Sequence, residues 1–172
     1  MQVEALSQGL ANASFLAIPI FLISVSTSTQ LLPLEIIGFI IFILSIVFET
    51  VADYQKLLFL KEMKRQNKQN MVCNIGLWKY TRHPNYFAEW MVWNGLIIAS
   101  IPSYISLFDS EALLLWIMIG IALLYTSRIM YITLVYLTGA VPSEYYSAQK
   151  RPEYKSYQKS TNIFFPGFKK KS

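Results

Sequence analysis

The sequence predicts an all-α fold, a polytopic transmembrane helical bundle of about four membrane-spanning helices, and three observations predict it. Hydrophobic residues make up 54% of the 172-residue chain and charged residues only 15%, well below the roughly 25% of a soluble domain. The apolar residues fall into four long runs. The charged residues gather in the gaps between those runs. A soluble core of this size has no room for 11 Tyr, 11 Phe and 4 Trp as well as the runs, whereas lipid solvates them.

A bilayer core takes about 20 mainly apolar residues per helix. The first run, residues 9–25, is interrupted by Asn12, Ser14 and Pro19 and closes in a Ser/Thr cluster at 26–29. No basic stretch precedes it and no Ala-x-Ala-type site follows it, so it reads as a membrane helix and not as a cleavable leader. The second run, 34–54, is the most apolar, with IIGFIIFILSIVF at its centre. The third, 84–101, begins at Pro84, and the fourth covers 112–137. The whole chain, 1–172, reads as one integral membrane domain, without internal repeats.

Charge placement orients these spans. Lys56 to Arg82 carries seven basic residues against one acid, Glu62, and the tail from Lys150 carries seven more bases. The loop between the third and fourth runs has Asp109 and Glu111 and no base. The positive-inside rule puts the middle segment, the tail and the N-terminus in the cytoplasm. The net charge of +5 therefore suits anionic headgroups or a phosphorylated ligand at the membrane surface. A nucleic-acid partner is excluded, because such binders spread Lys and Arg along a solvated face. A single cysteine, Cys73, allows no intrachain disulfide and reads as an incidental thiol. One Cys with one His argues against a metal site.

The richest segment is Gly76 to Gly95, GLWKYTRHPNYFAEWMVWNG. Pro84 suits the first position of a helix, where its missing N–H is no loss. The free N–H groups of that helix start lie beside Lys79, Arg82 and His83, an arrangement suited to phosphate. Asn85 and Glu89, four apart, share a helix face. Trp, Tyr, Arg and His all suit the headgroup region; that accounts for the aromatics and for Arg82, but not for Asn85 and Glu89 on an apolar helix, where a carboxylate is costly without a partner. Glu49 and Asp53 stand one turn apart at the end of the second run, with Lys56 and Lys61 beyond them. Arg128 sits inside the fourth run among Leu124, Tyr125, Ile129 and Met130, at a cost of about 3 kcal/mol near a bilayer centre unless it snorkels to the surface.

Arg82-His83-Pro84-Asn85-Tyr86, with Gly76-Leu77-Trp78 before it and Glu89 after it, resembles the signature of the DUF1295 and steroid 5α-reductase C-terminal family. Sterol reductases share a similar motif, as do isoprenylcysteine and phospholipid methyltransferases more loosely. The resemblance covers about Glu35 to Pro166. It implies an NADPH-dependent reductase of a C=C bond in a small hydrophobic steroid, sterol or enoyl lipid. It implies that Asn85 and Glu89 hold the cofactor near its nicotinamide, that Glu49 and Asp53 also bind it, and that Lys56, Arg82, His83 and Tyr86 belong to its site. Arg128, with Tyr136 eight residues on, matches the family's cofactor-binding Arg and Tyr. The tail Arg151-Pro152-Glu153-Tyr154-x-x-Tyr157, then Phe164-Phe165-Pro166, matches the family's ending and adds Arg151 and Tyr154.

Members of the family usually carry further spans upstream, with a Glu and a Tyr that polarise the substrate, so the resemblance implies a chain shortened at its N-terminus, a truncated paralogue, or a substrate half built differently. Tyr86 and Tyr136 are then the candidates for proton donor. The alternative is S-adenosylmethionine as cofactor, in a membrane methyltransferase; those enzymes carry a Glu-Glu pair after the fourth-span Arg, where this chain has only Glu144. A non-catalytic membrane protein is the third reading. Lys169 and Lys170, close to the end of the chain, resemble an endoplasmic reticulum return signal. The expected location is that membrane in a eukaryote, or the cytoplasmic membrane in a bacterium.

Overall fold

The computed structural model describes residues 16–26 and 28–169. The described residues form helices α1 (Ala17–Ser24), α2 (Pro33–Arg65), α3 (Pro84–Ser106), α4 (Leu113–Ile132), α5 (Ala140–Lys150) and α6 (Tyr154–Ser160). Single 3-10 turns at Gly76–Lys79 and Leu107–Asp109, and a π-helical turn at Thr133–Leu137, join them. Among the described residues there is no strand beyond one isolated parallel bridge, Thr81 to Asn162.

Three stretches are long and apolar enough to cross a bilayer: Pro33–Arg65, Pro84–Asp109 and Leu113–Lys150. Their most apolar windows have mean hydropathies of 2.4, 1.5 and 1.9, yet only 17 to 22% of each window is buried within the chain. Surface that apolar and that uncovered requires lipid, so the chain is an integral membrane protein. Of the first expected span, 9–25, residues 9–15 lie outside the described residues; the rest holds α1.

The boundaries of the other spans differ from expectation for local reasons. α2 starts with Pro33 in the first turn, and the backbone N–H of Leu32 donates to Glu35 at 2.8 Å. It runs past residue 54 to Arg65, because Lys56 to Arg65 are good helix formers despite their charge. It ends where Asn67 takes a left-handed conformation, φ 56°. There Asn67 N–H donates to Lys64 O at 3.1 Å and Lys68 N–H to Met63 O at 2.9 Å, which closes the last carbonyls. α3 passes through Pro102 and does not stop at residue 101; membrane helices tolerate such a proline where neighbouring groups take up the freed backbone. α4 ends at Ile132, and the π turn, closed by Thr138 N–H to Thr133 O at 3.1 Å, completes the expected fourth span.

The described residues group into two compact units, and α2, α3 and α4 each carry residues of both. The first unit takes the described residues up to Ile43 with Met91–Met130; the second takes Leu44–Trp90 with residues 131 onward. In the first unit, α2 and α3 touch backbone to backbone. A Cβ on Gly38 would lie 2.4 Å from Ala99 N, and one on Gly95 would lie 2.8 Å from Phe42 N. Small residues make that approach possible, as they do between membrane helices generally. Trp116 stacks on Tyr104 at 4.8 Å and donates its indole N–H to Tyr104 O at 3.1 Å.

Candidate functional site

The signature segment folds against the tail, and both belong to the second unit. Gly76 sits at φ 50°, and a Cβ there would meet the Gln55 side-chain amide at 2.3 Å. Gln55 accepts from Leu77 N–H at 2.8 Å, and the buried Trp78 donates to Ala52 O at 2.9 Å. From the other side, Tyr157 donates its hydroxyl to Trp78 O. Thr81 donates to Phe164 O at 2.8 Å, Arg82 N–H to Asn162 O at 2.9 Å, and Gly167 N–H to Tyr80 O at 3.0 Å. Phe164, 1% exposed, plugs a cluster of Phe87, Trp90, Tyr131 and Phe165 with ring centroids 5.2 to 6.0 Å away.

At the centre lies a buried carboxylate that ties four groups. Glu144 of α5 accepts a two-pronged bond from Arg82, Nε to Oε1 at 2.6 Å and Nη2 to Oε2 at 3.0 Å. It also accepts from Gln158 Nε2 at 2.8 Å and contacts His83 Nε2 at 3.0 Å. Arg82 Nη1 donates to the carbonyls of Gln158, at 2.8 Å, and Thr161. The carboxylate can only accept, so His83 carries its proton on Nε2. Burial lowers the pKa of His83 below its ordinary 6.5, against the opposing pull of Glu144, and the ring is neutral at pH 7. His83 stacks on Tyr86 at 5.1 Å with an interplanar angle of 6°. The Tyr154 hydroxyl also bonds Glu144; burial first, then that carboxylate, raises its pKa, so it stays protonated.

Beside this network is a cavity of about 90 Å³. Lys56, Arg82, His83, Asn85, Tyr86 and Arg151 contribute to its wall, with Tyr154 and Tyr157 behind them. Ser143, Ser147 and Cys73 complete it; Cys73 is 8% exposed, and burial raises its thiol pKa. Two buried polar atoms of this wall have no hydrogen-bond partner: Asn85 Oδ1 and Arg151 Nε. Lys56 holds its ammonium 4.4 Å from the Trp78 ring centre, a cation–π contact that leaves its N–H donors available. The wall thus offers two cations, an orphan donor and an orphan acceptor.

Tyr86 links the cavity to an acidic group. Its hydroxyl feels the fields of Glu89 and Asp53, and Glu49 feels both Glu89 and Asp53. Among the described residues none of these three carboxylates is in a salt bridge. Asp53 is exposed and Glu49 and Glu89 are half-buried, so none of the three is sealed inside the chain. No set of three or more His, Cys, Asp or Glu with metal-binding geometry exists among the described residues.

The structure therefore brings together Lys56, Arg82, His83, Asn85, Tyr86, Arg151 and Tyr154 around one cavity, and Glu49, Asp53 and Glu89 within mutual reach. Arg82 spends its side chain on Glu144 and two tail carbonyls, whereas His83 meets Glu144 through Nε2 alone and keeps Nδ1 as an uncommitted acceptor. Tyr136 is 56% exposed, stands against Tyr131 at 6.2 Å and does not line the cavity. Arg128 falls in the first unit, where it is exposed. Glu144 is the residue that the sequence reading left out of the site. Its only signal was a short helix with small or polar residues at 140, 143, 144 and 147, a face suited to close packing. Cys73 also lines this wall.

No curated protein and no solved structure matches the chain. The family profile described as Protein of unknown function (DUF1295) matches residues 6–161, which include the signature segment, the cavity wall and Glu144. The match spans nearly the whole sequence, and on that ground the chain belongs to the DUF1295 family.

Proposed function

We propose that this protein is an NADPH-dependent reductase of a carbon–carbon double bond in a lipid-like substrate. One observation carries the reading: a single wall pairs orphaned Asn85 Oδ1 and Arg151 Nε with the cation of Lys56. The donor set fits the cofactor. Its phosphates need cations, and its carboxamide and ribose hydroxyls need acceptors. Lys56 and Arg151 would take phosphate; Asn85, Glu89, Glu49 and Asp53 would take amide and hydroxyl groups. The cavity holds only part of a dinucleotide, so the rest would lie over the open surface next to it.

When bound, NADPH supplies the hydride, and the protein positions it and protonates the second carbon. Tyr86 is the better placed of the two tyrosine candidates, because its ring is held by His83 and it borders both the cavity and the carboxylates. Arg82 and Glu144 act on the site by fixing His83 and the start of α3. Substrate reaches such a site from lipid, which covers most of the spanning helices.

The methyltransferase reading is weaker. Its acidic pair has one counterpart, Glu144, whose two oxygens are already taken up by Arg82, His83 and Gln158. Mass spectrometry of small molecules retained by detergent-purified protein, followed by titration, separates the two. Retained NADP(H) and tighter binding of NADPH are the expected result; retained S-adenosylmethionine overturns it.

A further inference from the structure

A second cavity, of about 170 Å³, opens at the C-terminal end of α2. Leu60, Met63 and Met71 give it an apolar floor, and Lys64, Lys68 and Arg151 surround it with positive charge. Arg151 is the wall it shares with the cavity described above, and the Arg151 Nε lacks a partner. The nearby acid, Glu62, does not neutralise these cations. It is bound to Arg65 at 2.7 Å and to Gln66 at 2.6 Å.

We infer that this second cavity binds the phosphate of an anionic phospholipid from the surrounding leaflet. Three cations around one small cavity call for a phosphate oxygen, and of the two cavities only this one has Lys64 and Lys68 in its wall. The apolar floor and its surroundings identify the bearer. Leu57 and Leu60, each 47% exposed, stand at the i and i+3 positions below Lys64 at i+7, so one helix face carries an apolar stripe that ends in a cation. Asp53 interrupts that face one turn below Leu57, so the upper part of an acyl chain lies on Leu57 and Leu60 and then turns off α2 into the bilayer, while the headgroup sits among the cations. Basic pockets beside membrane helices recognise anionic headgroups in this manner. A free phosphate would use the cations and leave the stripe bare. The inference does not rest on the reductase reading. It does add a regulatory link, since lipid on one side of Arg151 fixes the wall of the cavity on the other.

The test uses the full chain, released from vesicles of phosphatidylcholine and phosphatidylglycerol and weighed by native mass spectrometry with the lipid it keeps. Wild type should keep phosphatidylglycerol. The Lys64→Ser/Lys68→Ser double variant should keep at least about tenfold less. A Lys61→Ser/Lys79→Ser variant, which loses the same charge away from the cavity, should behave as wild type. Equal losses in the two variants would mean general surface attraction and overturn the site. Displacement of the lipid by inorganic phosphate alone would overturn the lipid as its occupant. Loss of NADP+ retention in Lys64→Ser/Lys68→Ser, with lipid retention unchanged, would make the cavity a cofactor subsite. Failure of every form to bind NADP+, with the lipid result as expected, would leave this site standing and sink only the reductase reading.

Discussion

The two units of the chain are held together by opposite means. In the first, Gly38, Gly95 and Ala99 let α2 and α3 meet backbone to backbone, and nothing polar is needed between them. In the second, the start of α3 is tied to α5, α6 and the tail by side chains that bond carbonyls and one buried carboxylate. The first unit is therefore sensitive to added volume and the second to lost polar groups. Lipid cannot repair either defect, since it offers neither space between touching helices nor hydrogen bonds.

The largest effect is expected from Arg82→Ala. It strips Glu144 of its two-pronged partner and leaves two tail carbonyls without a donor. Removing one partner of a buried pair costs about 3–5 kcal/mol. Thermal unfolding in detergent should show the loss directly; a melting temperature close to wild type would mean that the second unit does not depend on this network. In the first unit, Gly95→Val pushes a side chain against the backbone at Phe42, with an overpacking cost of about 1–3 kcal/mol. The same measurement checks it, and NADPH affinity in the folded fraction should stay unchanged.

Glu89→Ala should weaken NADPH binding at least tenfold, or about 1.4 kcal/mol, with little change in melting temperature. Family resemblance implies the same loss for Arg128→Ala. Cofactor titration of both sharpens the comparison, because wild-type affinity in Arg128→Ala would confine the cofactor site to the second unit. The smallest effect concerns pH. Burial holds the His83 pKa below 6.5, so the unfolded chain takes up a proton more readily than the folded one. Its contribution is present above the unfolded value and is lost as pH falls through the folded value. His83→Gln keeps a donor toward Glu144 and cannot titrate. The gap in melting temperature between it and wild type should therefore shift in its favour from about pH 7.5 to about pH 5.5; parallel curves would remove His83 as a titrating group.

Much of this was legible residue by residue. Apolar run length gave the spanning helices, because a bilayer imposes a length that no soluble core does. Pro84 marked the start of α3 because proline suits a first turn. Asn85 and Glu89 stood out because polar groups on an apolar helix need a reason. The ends of α2 and α3 were less legible: a charged stretch of good helix formers looks like a loop when hydropathy alone is read, and Pro102 looks like a stop. The role of Arg82 was least legible. Near a helix start it reads as a free anion receptor, and its partner lies 62 residues away in a stretch with no pattern of its own.

The sequence by itself determined that this chain lives in a membrane, that its charges cluster at helix ends, and that the segment around Arg82 to Glu89 is its most unusual in residue chemistry. Those properties follow from composition, run length and spacings of a few residues. Only the tertiary structure decided which of those polar groups are spent inside the chain and which remain for a ligand. Arg82 is consumed by Glu144 and the tail carbonyls, while His83 keeps one ring nitrogen and Lys56, Asn85 and Arg151 line a cavity with groups left over. The physical reason is that a hydrogen bond is settled by position in space to within tenths of an ångström, and residues 78 and 157, or 82 and 144, become neighbours only when the tail closes over the start of α3.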